Sequence, residues 1–193
     1  MKKKEWLYRE LLFQLLENKE TFFTQKALAE KTRTSLGNVN KSLSPLEGMN
    51  CIEKLPMGFR IIQPKKLLLY WASLRNLEKD ITFKTRVEKP VEEIEKELPP
   101  ALFTAYSGFK FRFRRIPADY SEVVVYGDWK QVAERFPKKK GKENLIVLKP
   151  DPHLEKFKQV PLGQLYTDLW NLDTWYAQDF LEALEKKIKW RPR

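Results

Sequence analysis

Thr24-Gln25-Lys26-Ala27-Leu28-Ala29-Glu30-Lys31-Thr32-Arg33-Thr34-Ser35-Leu36-Gly37-Asn38-Val39-Asn40-Lys41-Ser42-Leu43 reads as two helices joined by a tight turn. Thr24 and Ser35 are good N-caps, since each side-chain oxygen can accept a backbone N–H from the first helical turn. The first helix runs to about Lys31. The second carries Leu36, Val39, Leu43 and Leu46 at helical spacing, which puts all four on one face, and it stops near Gly48. At roughly 100° per residue, Lys41 lies opposite that face. Gly37, Asn38, Ser44 and Pro45 stand beside it, and Asn40 and Ser42 flank it. Pro45 has no N–H to give and is expected to disturb the helix near its end. Ala29 is small enough to let the two helices approach.

Upstream, residues 5–18 form another amphipathic helical pattern through Trp6, Leu7, Leu11, Phe13 and Leu15. Downstream, Cys51-Ile52-Glu53-Lys54-Leu55 and Phe59-Arg60-Ile61-Ile62 flank Pro56-Met57-Gly58, two short β-prone runs around a turn, as in a hairpin. Pro64 then opens a helix to about Leu77, proline being favoured in a first turn.

Helix, turn, helix and hairpin in that order resemble the winged helix-turn-helix family. The resemblance implies double-stranded DNA as partner, with the helix from Ser35 in the major groove and the hairpin on its flank. Asn38 and Asn40 can match an adenine edge, and Lys41 can reach a base or a phosphate. Gly37 permits close backbone approach. Arg33, Thr34 and Ser35 in the turn are candidate DNA contacts, Arg33 and Thr34 to backbone phosphate, and Lys54 and Arg60 in the hairpin are candidates for phosphate or the minor groove. The alternative is a winged helix used only to hold a protein partner, because the outer helix face carries a single cation.

Residues 78–89 change character, with Ile81-Thr82-Phe83-Lys84-Thr85-Arg86-Val87 alternating like a strand or an extended linker. The expected organisation is therefore α+β: a winged-helix domain at 1–77, a linker at 78–89 and a smaller mixed α/β domain at 90–193. Within the latter, Pro90 opens a short acidic helix, 101–106 reads as a short helix, 122–126 and 145–148 as strands, and 129–135 and 162–170 as short helices. A long terminal helix is expected over 174–189, with Trp175, Phe180, Leu181, Leu184 and Ile188 on its core side.

Phe109-Lys110-Phe111-Arg112-Phe113-Arg114 alternates strictly, as a half-buried strand does. Its Phe face would fill the core. Lys110, Arg112, Arg114 and the following Arg115 would form a basic face open to phosphate or to an acidic partner. Lys138-Lys139-Lys140-Gly141-Lys142 reads first as a solvated turn, with phosphate tracking as a secondary role.

Val160-Pro161-Leu162-Gly163-Gln164-Leu165-Tyr166-Thr167-Asp168-Leu169-Trp170 resembles the QLYxDL segment of AbiEi-type antitoxins. So does the layout of winged helix, short helix, ALFTAYSG at 101–108 and a strand ending at Tyr126. This family comprises the transcription-regulating antitoxins of type IV toxin–antitoxin systems and their relatives. The resemblance implies repression of the protein's own operon and a C-terminal domain that counters a nucleotidyltransferase-like toxin. Gln164, Tyr166 and Asp168 sit at alternate positions; the simpler reading is helix packing, with Asp168 capping or pairing locally.

Composition narrows the chemistry. The chain has 193 residues, one Cys, one His and a net charge of +11. A lone Cys51 excludes an internal disulfide, and one Cys with one His cannot form a tetrahedral zinc site. His153 alone makes most His-based triads unavailable. The excess charge splits into +6 over residues 1–80 and +5 over 81–193, so both halves can face a polyanion. No apolar run reaches the ~20 residues that span a bilayer. Glu5, Arg9, Glu10 and Glu17 make the amino-terminal segment amphipathic rather than a secretory signal, so a cytoplasmic protein is expected.

A nucleotidyltransferase needs a Gly-Ser turn followed by paired carboxylates. Ser107-Gly108 has the reverse order, and Lys110, Arg112 and Arg114 stand where the acids belong. No phosphate-binding or dinucleotide glycine motif occurs. A nuclease assembled from Asp119, Asp128 and Glu143 with Lys149 is the remaining enzymatic alternative. The expectation is a non-enzymatic regulator with no catalytic residues, cofactor or metal. Two DNA half-sites would call for a homodimer, although no coiled-coil seam is visible.

Overall fold

The computed structural model describes residues 1–190. It is a mixed α+β fold with two small sheets, and it divides into two compact units. The first unit comprises Met1–Arg75, Pro161–Thr167 and the chain from Lys186; the second comprises Asn76–Val160 and Asp168–Glu185. The last three residues of the expected 90–193 domain lie outside the described residues.

In the first unit, α1 (Lys3–Leu16) buries Leu7, Tyr8, Leu11, Leu12, Leu15 and Leu16. Against it pack α2 (Gln25–Thr32), α3 (Leu36–Gly48) and α4 (Pro64–Leu74). Between α3 and α4, β1 (Ile52–Leu55) and β2 (Gly58–Ile61) form an antiparallel hairpin. Trp71, Leu67 and Leu68 from α4 are fully buried, each such side chain contributing about 1.5–3 kcal/mol by removal from water. Arg9, also fully buried, donates from Nε to Oε1 of Gln164 at 2.9 Å. Gln164 belongs to α8 (Leu162–Trp170), whose first N–H donates to Oε1 of Glu17 at 2.8 Å. A carboxylate there complements the positive end of the helix. Gly163 lies so close to α1 and α4 that a Cβ would stand 3.1 Å from Leu12.

The second unit is built on a four-stranded sheet in the order β3-β6-β5-β4: β3 (Ile81–Thr85), β6 (Leu145–Leu148), β5 (Val123–Gly127) and β4 (Ala101–Thr104). The central β5 and β6 run parallel; both edge pairings are antiparallel. Val123, Val125, Leu145 and Val147 form one buried face with Ile94 of α5 (Val91–Glu97) and with Val132 and Phe136 at α7 (Trp129–Arg135). The segment expected as a linker thus supplies an edge strand, β3.

Three expectations fail here. Residues 101–104 are a strand, not a helix, because they pair with β5, Leu102 and Phe103 standing opposite Tyr126 and Val125. The Phe109–Arg114 alternation is not a strand but part of α6 (Ala105–Phe113). Tyr106, Phe109 and Phe113 lie three and four residues apart, so a helix collects them on one face, whereas Phe111 is 47% exposed. Phe109 meets Phe113 and Phe180 with ring centroids 4.7 and 5.3 Å apart. The terminal helix, α9 (Ala177–Lys187), starts late, and Trp175 is exposed rather than in the core.

Asp168 has partners far away in sequence. It is fully buried and accepts from Oγ1 of Thr104 at 2.8 Å and from the Tyr126 hydroxyl at 2.7 Å. These partners sit on neighbouring strands, β4 and β5, so the carboxylate holds the end of α8 to the sheet. Removing one member of such a buried set leaves unsatisfied polar groups and costs several kcal/mol.

Tyr106 hydrogen-bonds Thr174 and packs on Tyr120, Tyr176 and Phe180. Burial pushes its hydroxyl up to about 12, with the nearby Glu122 adding to the effect. Burial also raises Tyr8 and Tyr120. A pKa raised on folding gives stability that is complete below the unfolded value and is lost as pH rises through the folded one. Denaturation midpoints are therefore expected to hold up to pH ~10 and to fall from there towards about 12. Midpoints that stay flat across that window would contradict the buried placement of these hydroxyls.

Candidate nucleic-acid interface

Ser35 caps α3, its hydroxyl accepting the Asn38 N–H at 3.3 Å. Val39, Leu43 and Leu46 are buried, and the Tyr8 hydroxyl donates to the Ser42 carbonyl at 3.0 Å, fixing the helix against α1. With that face held, Gly37, Asn38, Asn40, Lys41 and Ser44 are exposed. The side-chain amides of Asn38 and Asn40 and the Lys41 ammonium have no hydrogen-bond or ion-pair partner among the described residues. They are free to meet a ligand. Leu36, expected on the inner face, is 55% exposed instead. It occupies the first helical position, where the side chain projects past the end of the packed face. Pro45 lies inside α3, which continues to Gly48.

The turn before α3 is tightly made. Arg33 closes α2 in the left-handed region at φ 50°, and its N–H bonds back to Ala29 and Glu30. Thr34 shares a 2.9 Å hydroxyl contact with buried Thr32. Of the three turn residues expected at DNA, Thr34 and Ser35 thus engage their hydroxyls within the turn and the cap, and Arg33 is exposed with no ion-pair partner among the described residues.

The hairpin packs on residues before α2: the Phe23 and Phe59 N–H groups bond each other's carbonyls at 2.8 and 2.9 Å. Lys54 pairs with Glu47 of α3 at 2.7 Å, and Arg60 with Glu53 across the hairpin at 2.7 Å. All four side chains are about half exposed or more, and such pairs contribute roughly 0–1 kcal/mol. A phosphate can compete for either cation at little cost. Between α2, α3 and the hairpin runs a groove of about 350 Å³ lined by Gln25, Lys26, Asn40, Lys54 and Met57. Gln25 and Lys26 were missed in the sequence; the Thr24 cap, which puts both in the first turn of α2, was the available signal. Met57, at the hairpin tip, is 94% exposed.

The second set of candidate cations does not share a strand face. Lys110 pairs with the buried Glu95 at 2.8 Å and with Glu92 at 3.7 Å. Arg112 donates to the Val160 carbonyl at 3.2 Å. Arg114 ends α6 in the left-handed region at φ 62°, and Arg114 and Arg115 are exposed. Asp128, named in the nuclease alternative, caps α7 by accepting the Lys130 N–H at 3.0 Å and the Gln131 amide at 3.2 Å.

The chain matches no family model, no curated protein and no solved structure. No helix among the described residues is long and apolar enough to cross a membrane. Function therefore has to be argued from the site's own chemistry.

Gly58 tests the groove's construction. A Cβ there would lie 2.4 Å from both the Phe22 ring and the Phe23 carbonyl. Gly58→Ala is expected to cost about 1–3 kcal/mol by forcing backbone apart, read as a lower denaturation midpoint. An unshifted midpoint would contradict this packing of the hairpin.

Proposed function

We propose that this protein is a DNA-binding transcriptional regulator of the winged helix-turn-helix kind, with α3 in the major groove and the β1–β2 hairpin on the flanking backbone. The observation that carries this reading is the outer face of α3. It is short, polar, exposed and unengaged, and it stands between the Arg33 turn and a hairpin whose cations are held only by surface carboxylates. Asn38 and Asn40 supply paired donors and acceptors for base edges, and Lys41 supplies charge. Arg33, Lys54 and Arg60 supply phosphate contacts that set register without reading sequence.

On the AbiEi resemblance, the protein represses its own operon and its second unit engages a nucleotidyltransferase-like toxin. A homodimer would present two such helices to two half-sites. A second reading, a winged helix that docks a protein, is favoured by one observation: Leu36 and Met57, 55% and 94% exposed, border the same surface.

Asn38→Ala with Lys41→Ala separates the two. Both positions are exposed in a helix, where Ala is well tolerated, so the fold is expected to persist. Each bidentate base contact is worth about 1–3 kcal/mol, so affinity for the DNA upstream of the native gene should fall roughly 10- to 100-fold, towards that for arbitrary duplex. Unchanged affinity for the upstream DNA overturns the assignment. Retained capture of a stoichiometric protein partner, with no DNA shift by either form, would favour the docking reading.

A further inference from the structure

The second unit has a local concentration of positive charge. Residues 84–89 and 135–142 hold eight lysines and arginines and one carboxylate, Glu88, with Glu134 and Glu143 flanking the second segment. They are far apart in sequence, and the fold brings them side by side. The buried Thr85 hydroxyl donates to the Pro137 carbonyl at 3.0 Å and accepts the Lys139 N–H at 2.9 Å. The Lys138 ammonium reaches the Lys84 carbonyl and lies 5.8 Å from the Phe83 ring centre. Gly141, at φ 131°, packs on the Arg86 side chain, a Cβ there lying 3.3 Å from it. The lysine-rich segment is thus exposed to solvent, as expected, and also tethered to β3.

Clustering like charges costs energy unless counter-charges accompany them. Here the counter-charges are few. Glu97 takes both Lys89 and Arg135, and Glu88 takes Lys139 at 3.1 Å. Lys84, Arg86, Lys138, Lys140 and Lys142 have no ion-pair partner among the described residues. A cleft of about 220 Å³ runs through the cluster, lined by Arg86, Lys89, Arg135 and Lys139.

We propose that this cluster is a second, sequence-independent contact for the phosphate backbone of duplex nucleic acid, and that it acts independently of α3. The surroundings select this partner over others. Single-strand binding needs exposed rings for base stacking, but Phe136 is buried and Lys138 lies over Phe83. Stable protein partners need an apolar centre inside the polar rim. None of the exposed large apolar side chains falls within these two segments. What remains is a dense, fixed array of ammonium and guanidinium groups, which suits phosphates and carries no base readout.

Lys140→Glu with Lys142→Glu in the full chain tests this, because both side chains are exposed and unpaired, so folding should be unaffected. Binding to a short duplex of arbitrary sequence is measured across a salt series, with the thermal midpoint as the folding control. The expected result is at least a roughly 10-fold weaker affinity and a salt slope smaller by about two, as counterion release scales with phosphate contacts. Affinities for upstream and arbitrary DNA should fall by the same factor, so the preference between them survives. Loss of that preference without change in salt slope would indict α3 alone. An unchanged slope and affinity, including the case where an acidic protein binds the loop instead, overturns the proposal.

Discussion

Once Val39, Leu43 and Leu46 are buried, with α3 packed on α1 and α2, the helix capped by Ser35 can turn only one face to solvent. This single constraint orders the first unit. It exposes Gly37, Asn38, Asn40 and Lys41 together, since they lie on the opposite arc of the same turns. It also fixes where the hairpin must sit, because α3 ends only a few residues before β1 and Glu47 reaches Lys54. The Tyr8 hydroxyl on the Ser42 carbonyl adds a directional bond to an otherwise apolar contact, locking rotation about the helix axis.

The electrostatics of the two units differ in kind. Around α3 the charge is sparse and partly neutralised, so discrimination between sequences would rest on two amides, one ammonium and close backbone approach at Gly37. Across residues 84–89 and 135–142 of the second unit the charge is denser and only partly neutralised, and none of the exposed large apolar side chains falls in those segments. On the proposed reading, affinity and specificity for nucleic acid would draw on these two kinds of surface separately. A net charge of +11 describes both without distinguishing them.

Much of the first unit was legible in the sequence. Caps at Thr24 and Ser35, the apolar period of α3 and the Pro-Met-Gly turn are local signals, and local geometry decided them. The second unit was less so. Residues 109–114 satisfy a two-residue and a helical period at once, and only the distant Phe180 and the position of α6 beside β4 and β5 choose the helix. Asp168 gave no sequence signal for Thr104 or Tyr126, 64 and 42 residues away. The basic loop was visible as composition, but its tether to Thr85 and the neighbouring Arg86 was not, because that pairing follows from β3 lying beside β6. Leu36 and Trp175 were misplaced because each stands at or before a helix start, where periodicity no longer reports burial.

On the proposed reading, α3 and the hairpin are the surface that meets DNA. Amide hydrogen exchange of the full chain, with and without the duplex upstream of its own gene, addresses it residue by residue. Added protection is expected over residues 33–44 and 53–60, with the buried N–H groups of α1 unchanged. Protection confined to other segments, or none at saturating duplex, would contradict that reading.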